Sequence, residues 1–184
     1  MGAIAVHEFV SLDGVFESPA WTIEFGFDPR MGETLAAITS QSTAILLGRT
    51  TFEMFAPAWS TRTADDDPGA PFFNDTTKHV VSSTLTDPDS VWRHSVAFGP
   101  YDPDALQSLK ERTEGSIYVS GSGALVRAML ADGLVDHLHL FVYPVVLGEG
   151  KRLFTEGMPK TTLALVESTT YENGVVHLDY GTVG

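Results

Sequence analysis

Three short stretches of this chain join the end of an apolar run to small hydroxyl or glycine residues. Leu47 leads into Gly48-Arg49-Thr50-Thr51, Val81 into Ser82-Ser83-Thr84, and Val119 into Ser120-Gly121-Ser122-Gly123-Ala124. Such residues suit phosphate binding; any one of the three alone reads more simply as a strand-to-helix connection, and the three together bring the two readings level. A strand that stops there and turns at once into a helix leaves backbone N–H groups unclaimed, at the positive end of the helix dipole. Glycine lets a phosphate approach the backbone closely. Arg49 adds a cation able to make charge-assisted hydrogen bonds at one of these junctions.

Other residues suit work on a substrate. Ser11-Leu12-Asp13-Gly14 ends the first apolar run abruptly. Asp13 is the first candidate to polarise a reacting group, although Asp-Gly is equally a common turn pair. Glu33, near the start of the first helix, is the second candidate; its plainer reading is an ordinary first-turn acid. Trp21, Phe25 and Phe27, which lie between them, and Phe55 and Trp59 further on offer a wall for a flat ring; core packing is the alternative, and the better reading for Phe55.

Several familiar patterns are missing. A dinucleotide fingerprint beginning at Gly121-x-Gly123 would need glycine or alanine where Val126 stands. There is no Walker lysine, and Ser120 and Ser122 do not form a nucleophile elbow. His137 and His139 alternate and therefore share a strand face, but two ligands without a third make no metal site, so none is expected. Asp65-Asp66-Asp67 lacks calcium-loop spacing.

The strand-end residues can act together only if a fold brings them to one edge. Ile4–Val10, Ala44–Leu47, His79–Ser82, Ile117–Ser120 and His137–Val142 read as strands, with a further one within 91–98. Helices are predicted from Asp28-Pro29 to about Ser40, from Gly48 to a stop at Pro57, from Asp102-Pro103 to about Thr113, and from Gly123 to Gly133. Residues 15–28 and 60–76 read as loops. Thr161–Tyr171 and Val175–Tyr180 form a closing hairpin about a two-residue Asn173-Gly174 turn. Strands alternating with helices predict a three-layer α/β fold: a mostly parallel central sheet, about four flanking helices and a C-terminal antiparallel hairpin. In such a sheet ligands bind at the carboxyl ends of the strands.

Composition narrows the function. With 184 residues, 43% of them hydrophobic and 19% charged, one domain over 1–184 is expected. The formal net charge of −13 disfavours nucleic acid and anionic membrane as partners and leaves a small molecule. An anionic ligand must find a positive nest within this negative field. The chain has no cysteine, which removes disulfides, thiolate metal sites and a cysteine nucleophile. No leader peptide or membrane-length apolar run is visible, so a cytoplasmic protein is expected.

Taken in order, Ser11-Leu12-Asp13-Gly14, Leu47 to Glu53, Lys78 to Thr84, Tyr118 to Gly123, Leu134-Val135-Asp136-x-Leu138-x-Leu140 and Pro144 to Gly150 form a specific series. The series resembles the dihydrofolate reductase-like superfamily, nearest the reductase (RibD C-terminal-like) domain of riboflavin biosynthesis in a stand-alone form. The resemblance implies a homodimeric, NADPH-dependent reductase acting on a heterocyclic, imine or ribosylamine substrate such as 5-amino-6-(5-phosphoribosylamino)uracil. It implies cofactor phosphates on Gly48, Arg49, Thr50 and Thr51, and the adenosine ribose and its 2′-phosphate near Ser82, Ser83 and Thr84. It further implies the pyrophosphate on Gly121, Ser122, Gly123 and Ala124, and the nicotinamide beside Val10, Asp13 and Gly14. Two other readings are a nucleotide-binding or regulatory protein without turnover, and a dihydrofolate reductase proper. The latter needs an in-register acid on the first helix, and Glu33 is about one position out of step.

Overall fold

Alternation along the strands decides how this chain folds. In Ala44-Ile45-Leu46-Leu47 every side chain is buried, with Ala44 and Leu46 in one apolar cluster and Ile45 and Leu47 in another. A strand of period two can do this only if both faces of its sheet are covered. The computed structural model, which describes residues 2–182, has that arrangement.

The strands are β1 (Ala3–Ser11), β2 (Ser42–Gly48), β3 (Thr77–Val81), β4 (Ser95–Gly99), β5 (Ser116–Ser120), β6 (His137–Tyr143), β7 (Leu163–Thr170) and β8 (Val176–Thr182). They form one sheet in the order β4-β3-β2-β5-β1-β6-β8-β7. The first six are parallel, and β8 and β7 close the edge antiparallel. The helices are α1 (Pro29–Ser40), α2 (Arg49–Trp59), α3 (Ala70–Asp75), α4 (Pro103–Arg112) and α5 (Gly123–Ala131). Helices α4 and α5 bury Leu106, Val126 and Met129 against Ile4, Val6 and Leu46 on one face. On the other face α1, α2 and α3 bury Met31, Phe52 and Phe73 against Ile45, Leu47 and Phe141. Each such large side chain contributes about 1.5–3 kcal/mol by leaving water. No helix among the described residues is long and apolar enough to cross a membrane.

The expected three-layer fold and closing hairpin are present, with five α-helices among the described residues rather than about four. Asp28 and Asp102 cap α1 and α4 as their Asp-Pro pairs predict, accepting from Arg30 N–H and from Asp104 and Ala105 N–H. Four local readings are corrected. Pro57 does not stop α2, which carries the proline inside it and runs to Trp59, leaving the Glu53 carbonyl without its usual N–H partner at that turn. The supposed loop 60–76 contains α3, because Phe72 and Phe73 pack on Tyr118 and Phe73 on Trp59. Residues 15–28 contain a 3-10 segment, Pro19–Phe25, rather than loop alone. The hairpin turn holds three residues: Tyr171 N–H donates to Val175 C=O, and Gly174 takes the left-handed conformation at φ +83°. Only Ser95–Gly99 of the 91–98 region and its flank is strand; Trp92 is buried before it and donates to Asn74 Oδ1 at 2.8 Å.

Candidate active site

Strands β2 and β5 are neighbours, yet their following helices leave toward opposite faces. Helix α2 packs with the Phe52 cluster, and α5 with the Val126 cluster. That divergence opens a crevice at the carboxyl ends of the strands, where ligands bind in folds of this type. The cleft there has a volume of about 1060 Å³, room for a dinucleotide and a further ring.

The floor is made by two helix starts. Gly48 precedes α2 in extended conformation, and Ser122 precedes α5 in the left-handed region at φ +63°. Neither caps its own helix with a side chain, and the first-turn residues of both line the cleft, so the N–H groups that open each helix have no side-chain partner there. The Ser122 hydroxyl instead ties the two starts together. Its Oγ accepts from Gly48 N–H at 2.8 Å and donates to Thr51 Oγ1 at 2.9 Å. Gly121 sits under Thr51 at φ +63°, where a Cβ would lie 3.0 Å from the Thr51 side chain. A Cβ on Gly123 would lie 2.3 Å from the Phe16 ring, which rests on the glycine. Glycine at 121 and 123 is therefore what lets the two loops and Phe16 close on one another.

The walls carry charge against the trend of the chain. Arg49, Arg127, Lys151 and Arg152 all line the cleft, four of only 11 basic residues in a chain of net charge −13. Arg49 spans from the start of α2 to the 82–84 turn, with Nε 2.7 Å from Glu53 and Nη1 donating to Thr84 Oγ1 at 2.6 Å. Arg49, Lys151 and Arg152 are paired with Glu53, Glu17 and Asp13, and Glu17 and Glu156 line the cleft beside them, so the cations are concentrated there but largely balanced.

Of the residues expected at a cofactor, Gly48 to Thr51 and Gly121 to Ala124 come together along this floor. Ser82, Ser83 and Thr84 stand just outside it, reached through Arg49, and the Ser82 hydroxyl accepts from Leu85 N–H at 3.0 Å. Val10 is not a lining residue; it is 5% exposed within the α4–α5 core. Gly14 is also outside the cleft, in the turn, where its C=O accepts from Leu153 N–H.

Asp13 is placed as an anchor. Its carboxylate accepts from Ser11 Oγ at 2.7 Å, from Leu147 and Gly148 N–H at 3.1 and 3.0 Å, and from Arg152 at 3.2 Å. The Ser11 hydroxyl first, then the backbone N–H groups, hold it well below the usual carboxylate range. It stays ionised and fully engaged, and fastens the 147–152 loop over β1. Glu33 is exposed on α1 and outside the cleft. Trp21 and Phe25 pack edge-on against Tyr143 and Phe27 faces solvent, so none of the three walls the cleft. Of the other two aromatic candidates Phe55 lines the cleft, with Phe9, Phe16, Tyr101 and Phe154, while Trp59 stacks on Phe73.

Glu8 is a functional candidate that the sequence reading missed. It lies in β1, is 3% exposed, lines the cleft, and its Oε1 has no hydrogen-bond partner among the described residues. Burial pushes its pKa up to about 8, only partly opposed by the Gly121 N–H. It is therefore mostly a neutral carboxylic acid near pH 7. A signal existed in the sequence: Val6-x-Glu8-x-Val10 places an acid on the buried face of a central strand, which is rare without a task.

Residues 3–177 match the RibD C-terminal domain family. The chain belongs to that family. The uncharacterized protein YyaP of Bacillus subtilis (strain 168) is 29% identical over 175 residues, covering 93% of this chain and 90% of YyaP. Among solved structures, a Shewanella sp. PV-4 protein whose name ties it to riboflavin biosynthesis superposes with a TM-score of 0.81 at 18% identity, over 99% of both chains. A Thermotoga maritima diaminohydroxyphosphoribosylaminopyrimidine deaminase/5-amino-6-(5-phosphoribosylamino)uracil reductase gives 0.67 at 14% identity, with 99% of this chain covering 57% of that one. At these identities the structural likeness is one of fold.

Proposed function

We propose that this RibD C-terminal domain protein is an NADPH-dependent reductase of a small heterocyclic, imine or ribosylamine substrate. The observation that carries the reading is the convergence of two uncapped helix starts, α2 and α5, inside a cleft where the cations are concentrated. A pyrophosphate on the N–H groups of Gly123 and Ala124, with Arg49 and the 82–84 hydroxyls at a 2′-phosphate, satisfies both the helix dipoles and the Arg49 guanidinium. Family membership and the uracil reductase in the name of the Thermotoga maritima protein support the reaction class.

When bound, NADPH supplies the hydride. The protein orients it and supplies the matching proton. Glu8 is the group for that second task. Its neutral carboxyl faces the cleft, so it can donate O–H to the nitrogen or oxygen of a C=N or C=O bond as the carbon accepts hydride. Glu8 would be left as a carboxylate and would recover its proton from solvent. Asp13, ionised and fully bonded, takes no part in the transfer and shapes the neighbouring loop. The dihydrofolate reductase reading loses its acid, since Glu33 lies outside the cleft.

The test is a titration of the protein with NADPH and NADH followed by nucleotide fluorescence, then NADPH oxidation across a panel of pterins, aminopyrimidine ribosylamines and simple imines. NADPH binding tighter than NADH, with turnover of one panel member, supports the reading. Equal affinities would remove the 2′-phosphate contact, and binding without turnover would favour a nucleotide-binding protein.

A further inference from the structure

On the sheet face away from α4 and α5, across the neighbouring strands β6 and β8, four donor side chains meet. His137 and His139 alternate in β6, and their rings stack 5.7 Å apart within 6° of parallel. The antiparallel neighbour β8 sets Asp179 opposite His139 and His177 opposite Phe141. His137 Nδ1 lies 3.2 and 3.1 Å from the two Asp179 oxygens. His139 Nδ1 lies 3.6 Å from Asp179 Oδ1 and 3.2 Å from His177 Nε2. The ligand atoms of His137, His139 and Asp179 all lie within 4.8 Å of one another.

We propose that His137, His139 and Asp179 form a binding site for one divalent transition-metal ion of the zinc class, with His177 beside it as a further nitrogen donor. In a tetrahedral site with bonds of about 2.0–2.1 Å, neighbouring ligand atoms stand roughly 3.3–3.4 Å apart. The nearest separations in the cluster, 3.1 to 3.6 Å, already straddle that edge length. Imidazole nitrogens with one carboxylate select zinc, cobalt, nickel or copper over magnesium and calcium, which prefer oxygen. Asp179 and His139 are largely buried, with side chains 9% and 12% exposed, while that of His137 is 43% exposed. The ion therefore has a fixed inner wall and an open outer side for entry and for a water ligand.

The sequence offered only His137-x-His139, one ligand short. The missing donor lies 42 residues beyond His137 and is delivered by the hairpin register. The Phe141 ring stands between the cluster and the cleft, packed on His177 on one side and on the cleft residue Phe9 on the other, at ring distances of 4.6 and 5.6 Å. An ion there would fasten β8, and with it the edge hairpin, to the parallel part of the sheet. Binding to the folded state alone raises stability by mass action.

The experiment uses the full chain, freed of metal by chelator and gel filtration, and titrated with Zn²⁺ by calorimetry and with Co²⁺ by visible absorption. One Zn²⁺ per chain, a rise in Tm with Zn²⁺, and cobalt bands characteristic of nitrogen–oxygen coordination are expected. His137→Ala, at the exposed ligand, and Asp179→Asn, which keeps the shape, should each weaken Zn²⁺ by about a hundredfold, since even outer-shell partners cost roughly 10–100-fold. Both should leave the NADPH titration unchanged, and circular dichroism of each metal-free variant checks that it is folded. Absence of stoichiometric binding, or binding that folded His137→Ala and Asp179→Asn leave unaltered, would overturn the proposal. Those donors would then be a hydrogen-bonded cluster only.

Discussion

The substitution Glu8→Gln tests the buried acid through stability, without needing a substrate. The carboxyl titrates near pH 4.5 when free and is pushed up to about 8 by burial in β1. Between those values the unfolded chain has lost a proton that the folded chain keeps. Stability is therefore fully present below about pH 4.5 and is lost as pH rises toward 8. Each unit in that window costs up to about 1.4 kcal/mol. Integrated from about pH 5 to about pH 8, the loss is on the order of 3 kcal/mol. The glutamine side chain matches the shape of the protonated acid but cannot ionise, so its own packing cost is constant with pH. Urea unfolding of both proteins at four values from about pH 5 to about pH 8 isolates the difference, because all other titrating groups cancel. The expected result is a variant that gains on the wild type steadily with pH, by on the order of 3 kcal/mol over the range. A difference that stays flat would mean that Glu8 ionises normally, and the neutral proton donor would be gone.

Arg49→Ala should weaken NADPH binding about tenfold, the low end for a charged hydrogen bond because the arginine is half exposed, and should scarcely change NADH binding; a fluorescence titration with each nucleotide decides. Asp13→Asn should lower Tm and speed proteolysis within the 144–155 loop while NADPH affinity holds; lost turnover in a protein of unchanged Tm would return Asp13 to the chemistry. Lys78→Met should lower the unfolding free energy by about 2 kcal/mol, because the buried ammonium donates to Phe73 and Thr76 C=O at 2.8 and 2.9 Å at the end of α3 and lies over the Trp92 ring. Urea denaturation would expose an error there as a change within about 0.5 kcal/mol, the range of an ordinary surface substitution.

What the sequence made legible was local or periodic. Leu47-Gly48-Arg49 and Val119-Ser120-Gly121 declared their strand-to-helix turns through residue type, and the alternation of strand and helix implied that their ends share an edge. What stayed hidden depended on partners distant in the chain. Helix α3 forms because Phe73 finds Trp59 and Tyr118, which no short window around residue 70 contains together. Asp13 looks like a reactive acid until Leu147, Gly148 and Arg152 are brought 134 to 139 positions back onto it. Trp21 and Phe25 have the composition of a pocket wall, but Tyr143 at the end of β6 claims them. Glu8 was legible in principle: its neighbours alternate inward, and an acid on that face has no partner nearby in sequence.

A crystal structure of the protein grown with saturating NADPH tests the central claim most directly. The expected density is a dinucleotide lying across the carboxyl ends of β2 and β5. Its pyrophosphate should rest on the N–H groups that open α5, its 2′-phosphate should lie within hydrogen-bonding reach of Arg49, and open space should remain beside Glu8. Density for the nucleotide anywhere else, or an empty cleft at a concentration that saturates the fluorescence titration, would contradict it.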